Sequence, residues 1–127
     1  MAAILVVEDD PDTCEIMRTV LSRAKHDATC VPNGHEALAA LTSFNPELII
    51  LDLRMPVMDG EAFLKVLRSY LRWYRVPVIV VSAAHPSELE RLVKFDVAHV
   101  FRKAAFDLEE LSACVDEVLA RGPRNDA

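Results

Sequence analysis

Four strand-like runs in this chain each end on a residue that can do chemistry. AILVV (Ala3 to Val7) is followed by Glu8, Asp9 and Asp10, and LIIL (Leu48 to Leu51) by Asp52. VIVV (Val78 to Val81) is followed by Ser82, and a weaker run from about Val97 to Arg102 by Lys103. Carboxylates brought together repel and raise one another's pKa. A hard divalent cation removes the conflict. Magnesium prefers carboxylate oxygens and water, and keeps several waters that a phosphate can replace. An ammonium and a hydroxyl beside it would offer phosphoryl oxygens charge and a hydrogen bond. These are the parts needed to transfer a phosphoryl group onto a carboxylate, a known form of covalent intermediate. Taken singly, each residue has a plainer reading. An aspartate after a strand is commonly a turn former or cap, Asp10 reads as a helix cap, Ser82 as a loop cap and Lys103 as a solvated charge. The joint arrangement at four strand ends carries the chemical reading.

Those residues meet only if the elements before them are arranged side by side. Strand-like and helix-like segments alternate throughout. Asp10-Pro11 suits a helix N-cap with proline at the first helical position, and Met17, Val20, Leu21 and Ala24 recur at helical spacing behind it. A short strand over Ala28 to Val31 ends at the turn signal Pro32-Asn33-Gly34. Ala37, Leu38 and Leu41 mark a second helix that stops before Pro46, and Phe63, Leu67, Tyr70 and Leu71 outline a third after Gly60. Ser87 to Glu90 has capping-box spacing, with Leu92 and Val93 continuing that helix. Leu108, Leu111, Val115, Val118 and Leu119 form the stripe of the last helix. Five βα repeats, four of whose strands lack polar alternation, imply an α/β fold: a doubly wound five-stranded parallel sheet with helices on both faces. In such a sheet ligands bind at the carboxyl ends of the strands, where the candidate residues stand.

With 127 residues the chain suits one domain, read as 1–120 with a polar, frayed tail over 121–127. No apolar run is long enough to cross a bilayer, and the N-terminus lacks a basic region and a sufficient apolar stretch for a signal peptide. A cytoplasmic location with no membrane partner is the expectation. The net charge of −6, without a Lys/Arg cluster, argues against direct nucleic-acid binding. Arg68, Arg72 and Arg75 come nearest to a basic stripe and read as the polar face of a helix end. Cys14, Cys30 and Cys114 form no CxxC pair and read as buried free thiols in a reducing compartment. His26, His35, His85 and His99 share no metal-ligand spacing and read mostly as surface residues, with His85 near the rim of the Ser82 loop. The start at Met1 and the polar end suggest a stand-alone regulator rather than a piece of a larger protein.

ILVVEDDPD (Ile4 to Asp12), PELIILDLRMPVMDG (Pro46 to Gly60) and PVIVVSA (Pro77 to Ala83), in that order and spacing, resemble the receiver domain of bacterial response regulators over nearly the whole chain. The resemblance implies a flavodoxin-like sheet of order 2-1-3-4-5. It implies that Asp52 accepts a phosphoryl group from a histidine kinase or histidine phosphotransfer protein. Asp9, Asp52 and the backbone carbonyl of Arg54 would ligate Mg2+ (or Mn2+), with Glu8 acting through a water. Ser82 and Lys103 would each hold a phosphoryl oxygen, and Met55-Pro56 and Gly60 would shape the acceptor loop. Output would pass to a downstream protein through shifts in the fourth and fifth βα units, and homodimerisation is left open.

The end of the chain departs from the family's pattern. Lys103 is followed by Ala104 rather than proline, so a trans bond is expected, cis before a non-proline residue costing about 3 kcal/mol. Setting Phe106 against the family's usual phenylalanine would move Lys103 off its site and place Arg102 in a buried strand position. Val100 stands where the family often has the aromatic that swings inward on activation, and the usual glycine before the strand is missing. Phe101, one residue on, is expected to face the opposite side and pack in the core. These departures keep a rival reading in view, a degenerate receiver that serves as a phosphorylation-independent binding or dimerisation module. A phosphohydrolase with an aspartate nucleophile is disfavoured, because the second carboxylate it commonly carries two residues later is replaced by Arg54.

Overall fold

A computed structural model describes residues 2–70, 72–83, 85–103 and 107–124. The elements are β1 (Ala3–Val7), α1 (Pro11–Arg23), β2 (Asp27–Val31), α2 (Gly34–Leu41), β3 (Leu48–Leu51), α3 (Gly60–Ser69), β4 (Val78–Ser82), α4 (Pro86–Glu90), a 3-10 turn (Val93–Phe95), β5 (His99–Arg102) and α5 (Leu108–Arg121). All strand pairings are parallel, in the order β2-β1-β3-β4-β5. Successive strand side chains point to opposite faces, which sorts the apolar residues into two layers. Leu5, Val7, Ile49, Leu51, Val78 and Val80 meet Leu41 of α2 and Phe63, Leu64 and Leu67 of α3. Ile4, Val6, Leu48, Ile50, Ile79 and Val81 meet Met17 and Leu21 of α1 and Leu111, Val115 and Val118 of α5. β1, β3 and β4 are covered on both faces, so their sequences show no alternation. β2 lies at the edge, and Asp27 and Thr29 face solvent there.

Local chemistry sets the helix starts. Asp10, Asn33, Asp59 and Asp107 each accept a backbone N–H from the first turn that follows them. Pro32-Asn33-Gly34 is thus a helix entry, with Asn33 as the cap. The expected cap at Ser87 is displaced to His85, whose Nδ1 accepts the Ser87 N–H at 3.1 Å. Pro86 takes the first helical position, which its fixed φ suits. That helix is only five residues long, and Val93 is 82% exposed beyond it. α3 stops at Ser69, so Tyr70 is extended backbone rather than part of the stripe, and its exposed ring lies 5.0 Å from that of Trp73. Leu71 lies outside the described residues.

Arg68 does not extend an exposed basic stripe. Its guanidinium turns inward and donates to the carbonyls of Phe95 (2.9 Å), Tyr74 (3.1 Å) and Val76 (2.6 Å). Burial lowers its pKa to about 10, with Arg124 adding to the effect. Arg121 belongs to α5, and beyond it Arg124 is tied to the body. Its N–H donates to Arg75 O at 2.8 Å, and its side chain to Asp96 and to the Tyr74 carbonyl. The free-thiol reading fails for two of the three cysteines: Cys14 of α1 and Cys30 of β2 are joined by a disulfide, and Cys114 is free. Among the described residues no helix is long and apolar enough to cross a membrane.

Candidate functional site

The parallel sheet aligns the ends of β1, β3, β4 and β5 on one edge, and the residues that follow converge there. Glu8 leaves β1 with its N–H held by Val31 O at 3.0 Å, and its Oε2 accepts the Asp10 N–H at 3.2 Å. Asp9 is exposed beside it. Asp10 does cap α1: its carboxylate accepts from the Thr13 hydroxyl at 2.6 Å and the Asp12 N–H at 3.3 Å. The Thr13 bond holds its pKa below the ordinary carboxylate value.

Asp52 is buried at the end of β3, its N–H donating to Val7 O at 3.0 Å and its Oδ1 accepting the Arg54 N–H at 3.2 Å. The loop behind it closes when the Gly60 N–H meets Leu53 O at 3.0 Å. A Cβ at Gly60 would stand 2.6 Å from Asp52 O, so only glycine lets the two backbones approach. Val57, in the same loop, holds φ 69, a region a β-branched residue rarely enters. The Arg54 side chain pairs with Glu88 of α4 at 2.8 Å.

Ser82 ends β4 and is fully buried, and its carbonyl accepts the Lys103 N–H at 3.1 Å. That bond sets Lys103 just past β5, where its ammonium reaches Asp52 Oδ2 at 3.1 Å and Glu8 Oε1 at 2.7 Å. The bond from Lys103 to Ala104, and Phe106 with it, lie outside the described residues. Val100 packs in the layer of α2 and α3, and Phe101 in that of α1 and α5, the opposite side expected for it.

Oxygens of Glu8, Asp9 and Asp52 all lie within 4.8 Å of one another. Three carboxylates face one ammonium, a charge deficit that a divalent cation would fill. Burial raises the Glu8 pKa from 4.5 to about 7, against the opposing pull of Lys103. Glu8 Oε1 is buried, with the Lys103 ammonium 2.7 Å from it. An all-oxygen donor set of three converging carboxylates fits a hard cation such as Mg2+. The same carboxylates raise the Lys103 pKa, their attraction outweighing its burial.

The edge thus brings together Glu8, Asp9, Asp52, Ser82 and Lys103, and the Arg54 main chain beside them. The histidines stand apart from this edge, as the surface reading of most of them expected. His35, His85 and His99 are exposed, and His26 is engaged elsewhere, between the Ala2 N–H and Asp116. Spacing gave no sign of the Cys14–Cys30 bridge. The available signal was positional: Cys14 shares a helix face with Met17 and Leu21, and Cys30 lies on the strand beneath it.

The family model described as "Response regulator receiver domain" matches residues 4–116. The chain is similar to the sensory transduction protein RegX3 of Mycolicibacterium smegmatis, at 32% identity over 99% of this chain. It spans 54% of that relative's length. Among solved structures it resembles the signal receiver domain of a signal transduction histidine kinase from Syntrophus aciditrophicus, with a TM-score of 0.87 and 29% identity, covering 95% of this chain and 92% of that one. It also resembles the Mn(2+)-bound form of the response regulator Rcp1, with a TM-score of 0.79 and 26% identity, covering 93% and 91%.

Proposed function

The chain belongs to the response regulator receiver domain family, and from that premise we propose that Asp52 accepts a phosphoryl group from a phosphohistidine of a kinase or phosphotransfer protein. The observation that carries this reading is the Lys103 ammonium set between Glu8 and Asp52, with Asp9 at the rim. An Asp52 carboxylate oxygen bonds to phosphorus as the phosphorus–nitrogen bond of the donor breaks. The electron pair returns to the imidazole, which leaves neutral with the proton already on its other nitrogen. Glu8, Asp9, Asp52 and the Arg54 carbonyl would hold Mg2+, which supplies positive charge to the oxygens of the transferring group. The likeness to Rcp1, whose solved form holds Mn(2+), supports this assignment.

Lys103 counters the charge of the acyl phosphate, and the Ser82 hydroxyl donates to one of its oxygens. The groove lined by Thr13, Ile16, Met17, Lys103 and Leu108 opens beside the ammonium, and half-exposed Ile16 gives the donor protein an apolar contact. The protein acts as a signalling domain in the cytoplasm, assists its own phosphorylation and dephosphorylation, and passes the signal to a partner protein. With Val100 in place of an aromatic, the output does not run through an inward-swinging ring.

Incubation with acetyl phosphate and Mg2+, followed by intact mass spectrometry, tests the reading. One added phosphoryl mass is expected, lost in Asp52→Asn and in EDTA. No added mass under conditions that label an ordinary receiver would favour a phosphorylation-independent binding module.

A further inference from the structure

The disulfide between Cys14 and Cys30 stands outside the acceptor site, yet it brackets the acidic loop from both sides. Cys14 lies in the first turn of α1, and its N–H donates to Asp10 O at 3.0 Å. Cys30 precedes Val31, whose carbonyl holds the Glu8 N–H at 3.0 Å. The segment Glu8-Asp9-Asp10 therefore leaves β1 anchored to β2 by a hydrogen bond and enters a helix bound covalently to the same strand. Cys14 is buried, whereas Cys30 sits partly exposed on the edge strand, so the Cys30 end is the one a thiolate can approach.

We propose that Cys14–Cys30 is a redox modification site whose state sets the order of the Glu8–Asp10 loop, with a dithiol as its reactant. One thiolate of the dithiol attacks Cys30 Sγ, and the Cys14 sulfur leaves and takes up a proton. The second thiol then attacks the mixed disulfide and releases Cys30 as a thiol. The dithiol becomes a disulfide, so two electrons and two protons pass to the chain. With the bridge open, the first turn of α1 loses its covalent link to β2, and the loop between them is freed. The effect on cation binding rests on the acceptor-site reading given above; the effect on loop order does not.

Alkylation with N-ethylmaleimide under denaturing conditions reads the bridge directly. One adduct, on Cys114, is expected before dithiothreitol treatment and three after it. Hydrogen exchange across residues 8–14 rises on reduction, while that of α5 stays unchanged. The Mg2+ dissociation constant, read by calorimetry, rises about tenfold, as for a loop that keeps its binding geometry a tenth of the time. Cys14→Ala/Cys30→Val, which keeps the layer apolar, behaves as the reduced protein with or without dithiol, and Cys114→Ser behaves as wild type. Three adducts before reduction, or unchanged exchange across residues 8–14, overturn the proposal. A loop that responds in a protein binding no Mg2+ in either state leaves the redox site standing and refutes the cation reading instead.

Discussion

Replacing Glu8 by Gln isolates the electrostatic cost of the site in the metal-free protein. The Glu8 carboxyl is almost fully buried, next to Asp52, and its pKa rises from 4.5 to about 7. A raised carboxyl means that the folded state holds the proton more tightly than the unfolded chain. Its contribution to stability is therefore complete below about 4.5 and is lost as pH rises through about 7. Since a tenfold change in a protonation equilibrium is about 1.4 kcal/mol, the loss amounts to about 3 kcal/mol by pH ~8. Gln resembles the neutral acid in shape and cannot ionise, and Lys103 keeps Asp52 at 3.1 Å. The E8Q protein should thus match wild type near pH 4.5 and exceed it by about 3 kcal/mol near pH 8 in EDTA. Urea titrations at stepped pH, followed by far-UV circular dichroism, measure the gap. Excess Mg2+ should close it from the wild-type side, because a ligand that binds only the folded state stabilises it. Parallel pH profiles for the two proteins, or an E8Q protein weaker at pH 8, would refute the reasoning.

Gly60→Ala should lower stability by about 2 kcal/mol, since the added Cβ would stand 2.6 Å from Asp52 O and 2.7 Å from Leu53 Cα, and backbone must move; acetyl phosphate labelling should fall with it. Val57→Asn should raise stability by about 1 kcal/mol in urea titrations, because Asn tolerates the left-handed region. The φ of 69 is then relaxed while an 82% exposed side chain gives up little packing. Arg68→Met should destabilise by about 2 kcal/mol by leaving the carbonyls of Phe95, Tyr74 and Val76 without their donor. A loss near zero in the same titration would mean that water replaces the guanidinium.

The amino-acid order by itself determined the strands of the interior and the residues that follow them. AILVV, LIIL and VIVV are short, continuous and apolar because they are covered on both faces, and right-handed parallel crossovers then bring their carboxyl ends to one edge. Glu8, Asp9, Asp52, Ser82 and Lys103 could therefore be picked out before any distance was known. Phe101 could be assigned a face by alternation alone, and Asp10 could be read as a cap from the proline after it. These are signals carried within a few residues of chain.

The tertiary structure decided what depends on proximity between distant segments. Cys14 meets Cys30 across 16 positions with no local pattern announcing the pair, and the strand ends alone do not say that the Lys103 ammonium stands 3.1 Å from Asp52 across 51 positions. Arg68 looks like one of three exposed cations in the sequence, yet it turns inward because the carbonyls around Tyr74, Val76 and Phe95 lie within its reach. The cap of α4 moved from Ser87 to His85 because Pro86 begins the helix. Glu8 shows the difference most directly. Its position after β1 is local information, but its readiness to hold a proton near neutral pH comes from desolvation, set by which strands and helices close around it.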